Sequence, residues 1–326
     1  MPQQMQAILV RAAGGPEVLE PAELPRPTAG PGQVLLRVEA IGLNFIDVYQ
    51  RTGLYPVSLP AVPGSEAAGV VEAVGDGVEE FRVGDRVAST SVIGAYAEYA
   101  LVPAGRLVRL PDSISTRQAA AGLLQGMTAQ YLTTSTYPLK PGDTCLVHAA
   151  AGGTGLLLCQ VARKRGARVI GTVSTDEKAV LALAAGATDG IVYTREDFVA
   201  RTRSLTGGAG VQVVYDSVGR TTFLPGLDCL AMRGMMVLFG QSSGTVDPFA
   251  PQILSQKGSL FLTRPALHHH IAVDAELQAR ASEVLGWMSD GTLTIRIGAE
   301  FPLAAAAEAH RALEGRRTTG KVLLLP

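Results

Sequence analysis

A run of small residues lies between a short apolar segment and a helical pattern, and it suits binding of a phosphorylated ligand. The apolar segment Thr144–Ala149 has the character of a buried parallel strand, and Thr154–Arg163 has the spacing of a helix packed on a sheet. A helix N-terminus offers unpaired N–H groups and a positive dipole end, and missing side chains let a pyrophosphate approach the backbone. Small residues also occur wherever a helix packs tightly on a strand. The strand–turn–helix context favours a dinucleotide loop, formed by Ala149, Gly152, Gly153, Thr154 and Gly155.

The elements around this loop alternate between strands and helices. From residue 142 onward the sequence predicts six strands, at Cys145–His148, Arg168–Val173, Gly190–Tyr193, Val211–Tyr215, Met235–Phe239 and Ser259–Leu262. Helices are predicted between them, at 154–165, 175–186, 195–205, 221–231 and 249–257. Right-handed crossovers then give the doubly wound order 3-2-1-4-5-6, with the cofactor across the carboxyl ends of the strands.

The first part of the chain has a different character. Residues 1–124 are rich in glycine, proline and alternating apolar residues, as in a small curved β-barrel. The predicted strands there are Ala7–Ala12, Gln33–Leu43, Gly69–Gly75, Asp85–Thr90 and Ala95–Val102, followed by helices at Ser115–Ala121 and Met127–Thr134. After a helix at Asp274–Met288, the tail regains β character at Leu293–Ile297 and Lys321–Leu325. We therefore expect a discontinuous domain of 1–124 and 266–326, and a nucleotide-binding domain of 125–265.

Composition limits the classes of function. The chain has 326 residues, of which 47% are hydrophobic and 17% charged, so a large core is available. A net charge of −1 argues against nucleic acid or an anionic membrane as the main partner. Cys145, Cys159 and Cys229 lie in apolar surroundings without a C-x-x-C pair, which is typical of a reducing compartment. With no secretory leader pattern and no apolar run of membrane-spanning length, we expect a soluble cytoplasmic protein.

Several segments carry a family resemblance. Gly142–Arg163 resembles the zeta-crystallin-like quinone oxidoreductases of the medium-chain dehydrogenase/reductase superfamily. The resemblance continues in the segments AIGLNFIDVYQRTGLYP (40–56), VPGSEAAGVVEAVG (62–75), VYDSVG (214–219), VLFGQSSG (237–244) and SLFLTRP (259–265). It implies a GroES-like barrel domain, a Rossmann domain, NADPH as reductant and a homodimer, with Ser259–Thr263 at the interface.

The positions that bind catalytic zinc in related dehydrogenases carry other residues here. By resemblance, the cysteine and histidine ligands correspond to Asn44 and Ser65, and neither is a good zinc ligand. Glu66 remains, but one carboxylate cannot hold the ion. Residues 88–104 contain no cysteine, so the structural zinc lobe is missing too. His268–His270 is interpreted as a solvated loop. We predict zinc-independent chemistry, for which an acceptor that is already electron-poor is the better substrate.

The choice between the two nicotinamide dinucleotides depends on the end of the second predicted strand. That strand ends at Val173-Ser174 without the carboxylate that takes the ribose hydroxyls in NAD-specific folds. Asp176 and Glu177 follow on the first helical turn, where they complement the helix dipole. The resemblance places Ser174, Lys178 and Tyr193 around the adenosine 2′-phosphate, and an ammonium with hydroxyl donors suits a dianion. We therefore predict NADPH.

The resemblance also assigns residues to the nicotinamide end and to the acceptor. Asn44 is expected to face the nicotinamide ribose or the substrate, and Thr128 offers a hydroxyl near the nicotinamide. Tyr49 and Tyr55 are candidates for the acceptor site, although tyrosines packed at a domain edge would look the same. The remaining predicted cofactor contacts are Ser217, which could equally be a strand-end cap, Phe239, Gln241, Ser242, Leu262 and Arg264.

These assignments lead to one preferred function and two alternatives. The preferred function is reduction of a quinone by NADPH without zinc. The first alternative keeps the fold but reduces the C=C bond of an enone or enoyl thioester. The second alternative is a crystallin-like protein that binds NADPH with little catalysis. No nucleic acid and no membrane insertion are expected.

Overall fold

A computed structural model describes residues 3–326, and the chain divides into two compact units. The first unit comprises Met1–Gln125 and Val273–Pro326, and the second comprises Gly126–Ala272. The second boundary falls after residue 272 rather than 265 because a short helix, Leu267–His270, stays with the second unit. There the His270 ring stacks on Tyr131, with the ring centroids 4.1 Å apart. Within residues 3–326, no helix combines the length and the apolar character needed to cross a bilayer.

The strands and helices are numbered along the chain. The strands are β1 (Gln4–Leu9), β2 (Glu20–Pro25), β3 (Gln33–Leu43), β4 (Ala67–Val74), β5 (Arg86–Ser89), β6 (Tyr99–Pro103), β7 (Val108–Arg109), β8 (Thr144–Val147), β9 (Arg168–Val173), β10 (Asp189–Val192), β11 (Val211–Asp216), β12 (Leu230–Leu238), β13 (Phe261–Thr263), β14 (Ile297–Pro302) and β15 (Lys321–Leu325). The helices are α1 (Phe45–Arg51), α2 (Thr116–Tyr131), α3 (Gly153–Lys164), α4 (Asp176–Ala184), α5 (Phe198–Leu205), α6 (Phe223–Leu227), α7 (Gln252–Gln256), α8 (Leu267–His270), α9 (Asp274–Ser289) and α10 (Ala306–Glu314).

The first unit is built around a seven-stranded sheet. Its strand order is β14-β15-β3-β4-β5-β7, and β6 also pairs with β3. The long strand β3 is central because its apolar residues alternate and it can pair on both edges. Buried aliphatic residues from β3, β4, β15 and α10 form the core beneath it. The strand predicted at Gln33–Leu43 is confirmed residue for residue.

The second unit is a parallel six-stranded sheet with helices between successive strands. Its order is β10-β9-β8-β11-β12-β13, which in chain order is the predicted 3-2-1-4-5-6. Every pairing is parallel. The strands read as nearly continuous apolar runs because both faces of such a sheet are covered. The expected Rossmann architecture is therefore confirmed.

Several local predictions were wrong for identifiable reasons. The two helices predicted at Ser115–Ala121 and Met127–Thr134 are one helix, α2, continued by a π-helical turn at Leu132–Thr136. Neither of the two glycines between them, Gly122 and Gly126, ends the helix. A Cβ at Gly122 would meet Ile295 and Met288 at about 3 Å, so this glycine permits close packing instead.

The other corrections concern short segments. The helix predicted at 221–231 is only the five-residue α6, because Pro225 and Gly226 weaken it and β12 already begins at Leu230. The tail strand begins at Ile297, since the Leu293 N–H donates to the Trp287 carbonyl and closes the end of α9. The histidine run forms α8 rather than a loop. Four further elements, β2, α1, β7 and α10, were not predicted.

Candidate functional site

Most of the predicted cofactor residues lie at one edge of the parallel sheet. Because all six strands run in the same direction, the residues that follow their carboxyl ends share that edge. The five residues of the predicted dinucleotide loop lie between the end of β8 and the first turn of α3, with Gly153, Thr154 and Gly155 already in the helix. The residues at the ends of the other strands are Ser174 after β9, Tyr193 after β10, Ser217 after β11, Phe239, Gln241 and Ser242 after β12, and Leu262 and Arg264 at the end of β13.

The turn between β8 and α3 leaves a backbone surface that side chains do not cover. Ala149 takes the left-handed conformation, with φ of 53°, and its carbonyl accepts a hydrogen bond from the Gly152 N–H at 2.9 Å. A Cβ at Gly155 would lie 2.3 Å from the Ala149 oxygen, so only glycine fits there. Gly152 is the N-cap of α3 and makes no side-chain capping bond. The first N–H groups of the twelve-residue α3 are therefore presented to an anion.

The end of β9 carries the polar groups expected to discriminate between dinucleotides. Lys178 Nζ donates to Ser174 Oγ at 3.2 Å, so the ammonium is held beside the hydroxyl. Thr175 caps α4 by accepting from the Lys178 N–H, which fixes where the lysine emerges. Tyr193 follows the neighbouring strand and is 39% exposed. These groups can together supply ammonium and hydroxyl donors to a phosphate.

Asp176, on the first turn of α4, is not a free carboxylate. Arg195 donates to both carboxylate oxygens of Asp176, and this ion pair lowers the pKa of the Asp176 carboxyl. Asp176 was predicted only to complement the helix dipole, and its ion pair with Arg195 was not predicted. The pair adds a second cation, Arg195, close in sequence to Tyr193.

Hydrogen bonds connect the loops after β11 and β12. The Asp216 carboxylate is fully buried and accepts from the Val218 and Gly219 N–H groups at 2.7 and 3.0 Å, which turns the chain directly after the strand. The Ser217 carbonyl accepts from the Ser242 N–H at 3.1 Å. These bonds bring the predicted residues Ser217 and Ser242 together. Thr128 is also in the second unit, buried on α2.

The three remaining predicted residues belong to the first unit and lie around α1. Asn44 is the N-cap of this helix, and its N–H donates to Asp47 Oδ2 at 2.9 Å. Tyr49 is buried and Tyr55 is half-buried, with their rings edge to face and the centroids 5.3 Å apart. The Tyr55 N–H also donates to the Tyr49 carbonyl at 3.0 Å. Asn44 and Tyr49 thus belong to the same helix start and helix, and Tyr55 packs against Tyr49.

Three strand ends meet beside Asn44, and two of them carry Lys321 and Glu66, which form a buried ion pair. In the pairing of β3 with β15, Leu43 lies opposite Val322, so Asn44 emerges next to Lys321. Glu66 directly precedes β4, and its carbonyl accepts from the Gly42 N–H. Lys321 Nζ donates to Asn44 Oδ1 at 2.7 Å and to Glu66 Oε2 at 2.6 Å.

This cluster is closely packed and satisfies its carboxylate. The Asn44 Nδ2 group donates to Glu66 Oε2 at 2.8 Å and to the Gly42 carbonyl at 2.9 Å. Glu66 Oε1 accepts from the Leu124 N–H at 2.7 Å. The side chains of Lys321 and Glu66 are each only 1% exposed. Gly42 must lack a Cβ, because that atom would lie 2.4 Å from the Glu66 carboxylate.

A chain of hydrogen bonds with a defined direction continues from Asp47 on the other side of α1. Arg51 Nη1 donates to His310 Nδ1 at 3.1 Å, and because a guanidinium cannot accept, the imidazole proton is on Nε2. His310 Nε2 then donates to the Tyr96 hydroxyl oxygen at 3.0 Å, and that hydroxyl donates to Asp47 Oδ2 at 3.1 Å. Glu314 holds Arg51 through two further bonds.

Burial shifts the proton affinities in this chain. Removal from water raises the pKa of Asp47 to about 7, against the lowering effects of the Asn44 N–H, Lys321 and the Tyr96 hydroxyl. Burial, reinforced by Arg51, lowers the pKa of His310 to about 3, which agrees with a neutral imidazole. The second oxygen of Asp47, Oδ1, is buried without a partner among residues 3–326. Asp47 is thus the group in this hydrogen-bond chain that changes charge near neutral pH.

The residues around Asn44 do not fit a zinc ion. The ammonium of Lys321 lies within hydrogen-bond distance of both Asn44 and Glu66, so a fixed positive charge already satisfies the oxygens that a metal would need. In the described part of the chain, no three residues among histidine, cysteine, aspartate and glutamate are grouped closely enough to hold a metal. This cluster therefore offers zinc no free ligand.

Sequence analysis missed the residues that support this half of the site. Lys321 and His310 are 277 and 259 positions away from the α1 residues that they contact, Asn44 and Arg51. A lysine at the start of an apolar strand was the one signal, because a buried lysine requires a partner. No spacing rule connects it to Asn44.

Two family descriptions match the chain, one in each half. Residues 30–112 match the description "Alcohol dehydrogenase GroES-like domain". Residues 153–282 match "Zinc-binding dehydrogenase". The description of the second family refers to a metal that the residues around Asn44 do not fit. Together with the fold, the two matches define the class as dehydrogenases that combine a GroES-like domain with a Rossmann domain.

Curated relatives and solved structures narrow the class further. The chain is 51% identical to a quinone oxidoreductase of Pseudomonas aeruginosa, over 97% of this chain and 98% of the relative. It is 44% identical to a 2-haloacrylate reductase of Burkholderia, over 99% of both. A crystal structure of Escherichia coli quinone oxidoreductase complexed with NADPH superposes with a TM-score of 0.96 at 45% identity, covering 98% of this chain and all of that one. The chain belongs to the quinone oxidoreductase family of the medium-chain dehydrogenase/reductase superfamily.

Proposed function

We propose that this protein uses NADPH to reduce a quinone-like acceptor without zinc. The observation that carries the proposal is the occupation of the potential metal position by Lys321, in a chain whose sheet edge presents an anion-binding helix N-terminus. High identity to quinone oxidoreductases over nearly the whole chain supports the acceptor class.

The cofactor half of the proposal assigns a role to each group of residues at the sheet edge. The N–H groups of Gly153 and Thr154 at the start of α3 bind the pyrophosphate, and the bare loop around Gly155 lets it approach. Lys178 and Ser174, already hydrogen-bonded to each other, bind the adenosine 2′-phosphate together with Tyr193. The loops that carry Ser217, Phe239, Gln241, Ser242, Leu262 and Arg264 surround the nicotinamide end, with Thr128 as a hydroxyl donor.

The acceptor half rests on the tyrosines of the α1 region. A phenol hydroxyl can donate to a quinone oxygen and its ring can stack on the acceptor. We assign this role to Tyr49 and Tyr55, whose edge-to-face contact holds both rings in place. Asn44 fixes the start of α1 and thereby the position of Tyr49.

The chemistry divides between the cofactor and the chain. When bound, NADPH supplies the hydride. The chain binds and orients the reactants, and an electron-poor quinone needs no Lewis acid to accept a hydride. The product oxygen takes its proton from water, because the pKa of an ordinary tyrosine, near 10, makes a phenol a weak acid at neutral pH.

A second acceptor class is supported by one comparison. The 44% identity to a 2-haloacrylate reductase extends over 99% of the chain, so an activated C=C bond is a further candidate acceptor.

The test of the acceptor class is a comparison of NADPH oxidation with 1,4-benzoquinone, 2-chloroacrylate and an enoyl thioester under the same conditions. The proposal predicts the highest kcat/KM for the quinone. Turnover of 2-chloroacrylate or the thioester alone would contradict it, and tight NADPH binding without any turnover would favour a crystallin-like role.

The assembly and location of the protein are also proposals. We propose a homodimer that joins the sheets of two second units through β13, because Phe261 on that edge strand is 56% exposed.

We propose a cytoplasmic location, which suits three buried cysteines that form no disulfide. A small molecule remains the expected substrate.

A further inference from the structure

Lys321 is a fully buried cation that has no assigned part in binding NADPH or the acceptor. Its side chain is 1% exposed, and its ammonium donates to two acceptors, Asn44 Oδ1 and Glu66 Oε2. Burial of an ammonium is costly unless charge and hydrogen bonds compensate for it. Glu66 supplies the compensating charge. The bond to Asn44 satisfies a second N–H of the ammonium, and it also determines which way the Asn44 amide faces.

The contacts of Asn44 determine the orientation of its amide. Lys321 can only donate, so it must face the amide oxygen, while the Gly42 carbonyl and the Glu66 carboxylate can only accept and must face the nitrogen. Both amide hydrogens are therefore used within the first unit. The remaining capacity of Asn44 is one lone pair on Oδ1. In this orientation Asn44 can accept a hydrogen bond from a hydroxyl but cannot donate one to a quinone oxygen.

We propose that Lys321 is a positioning residue for the reduction, a fixed ammonium that holds Asn44 with its amide oxygen available to a hydroxyl of the dinucleotide. This inference rests on the proposed function, since it takes Asn44 to be part of the reaction site. It decides between the two partners expected for Asn44: a ribose hydroxyl can donate to Oδ1, whereas a quinone carbonyl cannot. Lys321 thus acts on the cofactor through Asn44.

The competing explanation is that Lys321 only neutralises Glu66. Paired variants separate the two roles. Lys321→Met removes the ammonium, and Lys321→Met with Glu66→Gln removes both charges. The glutamine oxygen can accept from Asn44 Nδ2 or from the Leu124 N–H but not from both, so Glu66→Gln with Lys321 retained is the matched control for that lost bond, and amide exchange in the double variant is compared with it. Lys321→Arg keeps the cation as the conservative control. If Lys321 only balances charge, the double variant recovers both stability and activity; if it positions Asn44, the double variant recovers stability alone.

The readouts are chosen to follow Asn44 and the cofactor directly. Asn44 is the only asparagine in the chain, so selective ¹⁵N-asparagine labelling gives one side-chain amide signal. Hydrogen exchange of that signal reports on its two bonds. NADPH affinity by fluorescence titration, and KM and kcat for NADPH and for 1,4-benzoquinone, complete the set.

We expect the folded double variant to show faster amide exchange and a loss of about tenfold or more in kcat/KM for NADPH, with the quinone KM within about twofold of wild type. Lys321→Arg should retain more activity than Lys321→Met. Wild-type exchange and wild-type kcat/KM in the double variant would overturn the proposal, as would a rise in quinone KM with unchanged NADPH parameters. If the wild-type protein reduced no quinone, the proposed function would fail, and the exchange and NADPH-affinity measurements would still test Lys321.

Discussion

At the scale of single residues, Gly155 shows how the loop depends on a missing side chain. A Cβ there would lie 2.3 Å from the Ala149 oxygen and 2.8 Å from the Ala150 Cα. Gly155→Val must therefore push the turn away from the N-terminus of α3. We expect a loss of about tenfold or more in NADPH affinity, because the N–H groups no longer converge on the pyrophosphate. Fluorescence titration with NADPH measures this loss.

A matched glycine variant separates this effect from a general loss of helix stability. Gly286 lies within α9, and a Cβ there would meet no atom within 4 Å. Gly286→Ala should leave NADPH affinity unchanged and stabilise the protein by up to about 1 kcal/mol, because alanine favours a helix interior over glycine. Wild-type NADPH affinity in Gly155→Val would contradict the assignment of the loop.

Asp47 and His310 make opposite contributions to the pH dependence of stability. Between its ordinary pKa of 3.8 and its native pKa of about 7, Asp47 holds a proton only in the folded state, so its contribution to stability falls as pH rises. His310, with an ordinary pKa of 6.5 and a native pKa of about 3, is protonated only in the unfolded state in that window, so its contribution rises with pH. The two contributions nearly cancel from pH 4 to 6.5. The groups that face Asp47 are the Asn44 N–H, Tyr96, Lys321 and Glu66.

Replacing Asp47 should expose the contribution of His310. Asp47→Asn keeps an acceptor for the Asn44 N–H and the Tyr96 hydroxyl but cannot ionise. Relative to wild type, its free energy of unfolding should rise by about 1 kcal/mol per pH unit between about pH 4.5 and 6.5. Urea unfolding across this range measures the difference, and His310→Gln should show the opposite slope. Parallel curves for wild type and Asp47→Asn would mean that Asp47 ionises at an ordinary pH.

Lys178 should decide between NADPH and NADH. Its ammonium is held beside Ser174 Oγ, where it can pair with the 2′-phosphate that only NADPH carries. Lys178→Met should weaken NADPH binding by about tenfold or more and leave NADH binding unchanged. Lys140→Met, on an exposed lysine, is the control. Equal losses for both dinucleotides in Lys178→Met would contradict this role.

The residue scale also shows what a single sequence can and cannot predict. The loop of Ala149, Gly152 and Gly155 was predictable, because strand, turn and helix are contiguous in the chain. Lys321 and His310 were not assigned, because their contacts with Asn44 and Arg51 form only when the ends of the first unit fold together. Arg195 was missed since its partner Asp176 lies 19 residues away.

At the scale of elements, strand order was more predictable than helix boundaries. The order of the parallel sheet follows from chain direction and right-handed crossovers, which local errors do not change. Helix α2 continues through Gly122, because the missing Cβ permits close packing against Ile295 and Met288. Helix α6 is shorter than predicted, because Pro225 and Gly226 weaken it and β12 begins at Leu230. The helix α1, which carries Asp47 and Tyr49, was missed because seven residues give too short a pattern.

The edge strand β13 provides a prediction at this scale. Phe261 is 56% exposed on a strand that pairs only with β12 in the described chain. We expect wild type to be a dimer, and Phe261→Asp to shift it toward monomer because a buried carboxylate would face its own symmetry mate. Light scattering coupled to size exclusion measures the mass. Val83→Asp, at another exposed apolar residue, should leave the dimer intact, and a monomeric wild type would contradict the proposal.

At the scale of the whole molecule, the two units differ in composition and topology, and these differences determine what each unit can bind. The first unit gathers strand ends from both ends of the chain around a buried cation, and the second presents parallel strand ends to a dinucleotide. The two fold types were predictable from the change between glycine-rich β segments and alternating strands and helices. The buried ammonium of Lys321 beside Asn44 was not predictable, because it depends on where the last strand enters the sheet.

The central claim is that the reduction runs on NADPH with a resident lysine ammonium in place of zinc. The most direct measurement is NADPH oxidation by chelator-treated protein with 1,4-benzoquinone, alongside its metal content. We predict full turnover in protein that carries less than about 0.1 zinc per chain, with no gain on adding zinc. Activity that is lost on chelation and restored by zinc, or no quinone-dependent NADPH oxidation at all, would contradict it.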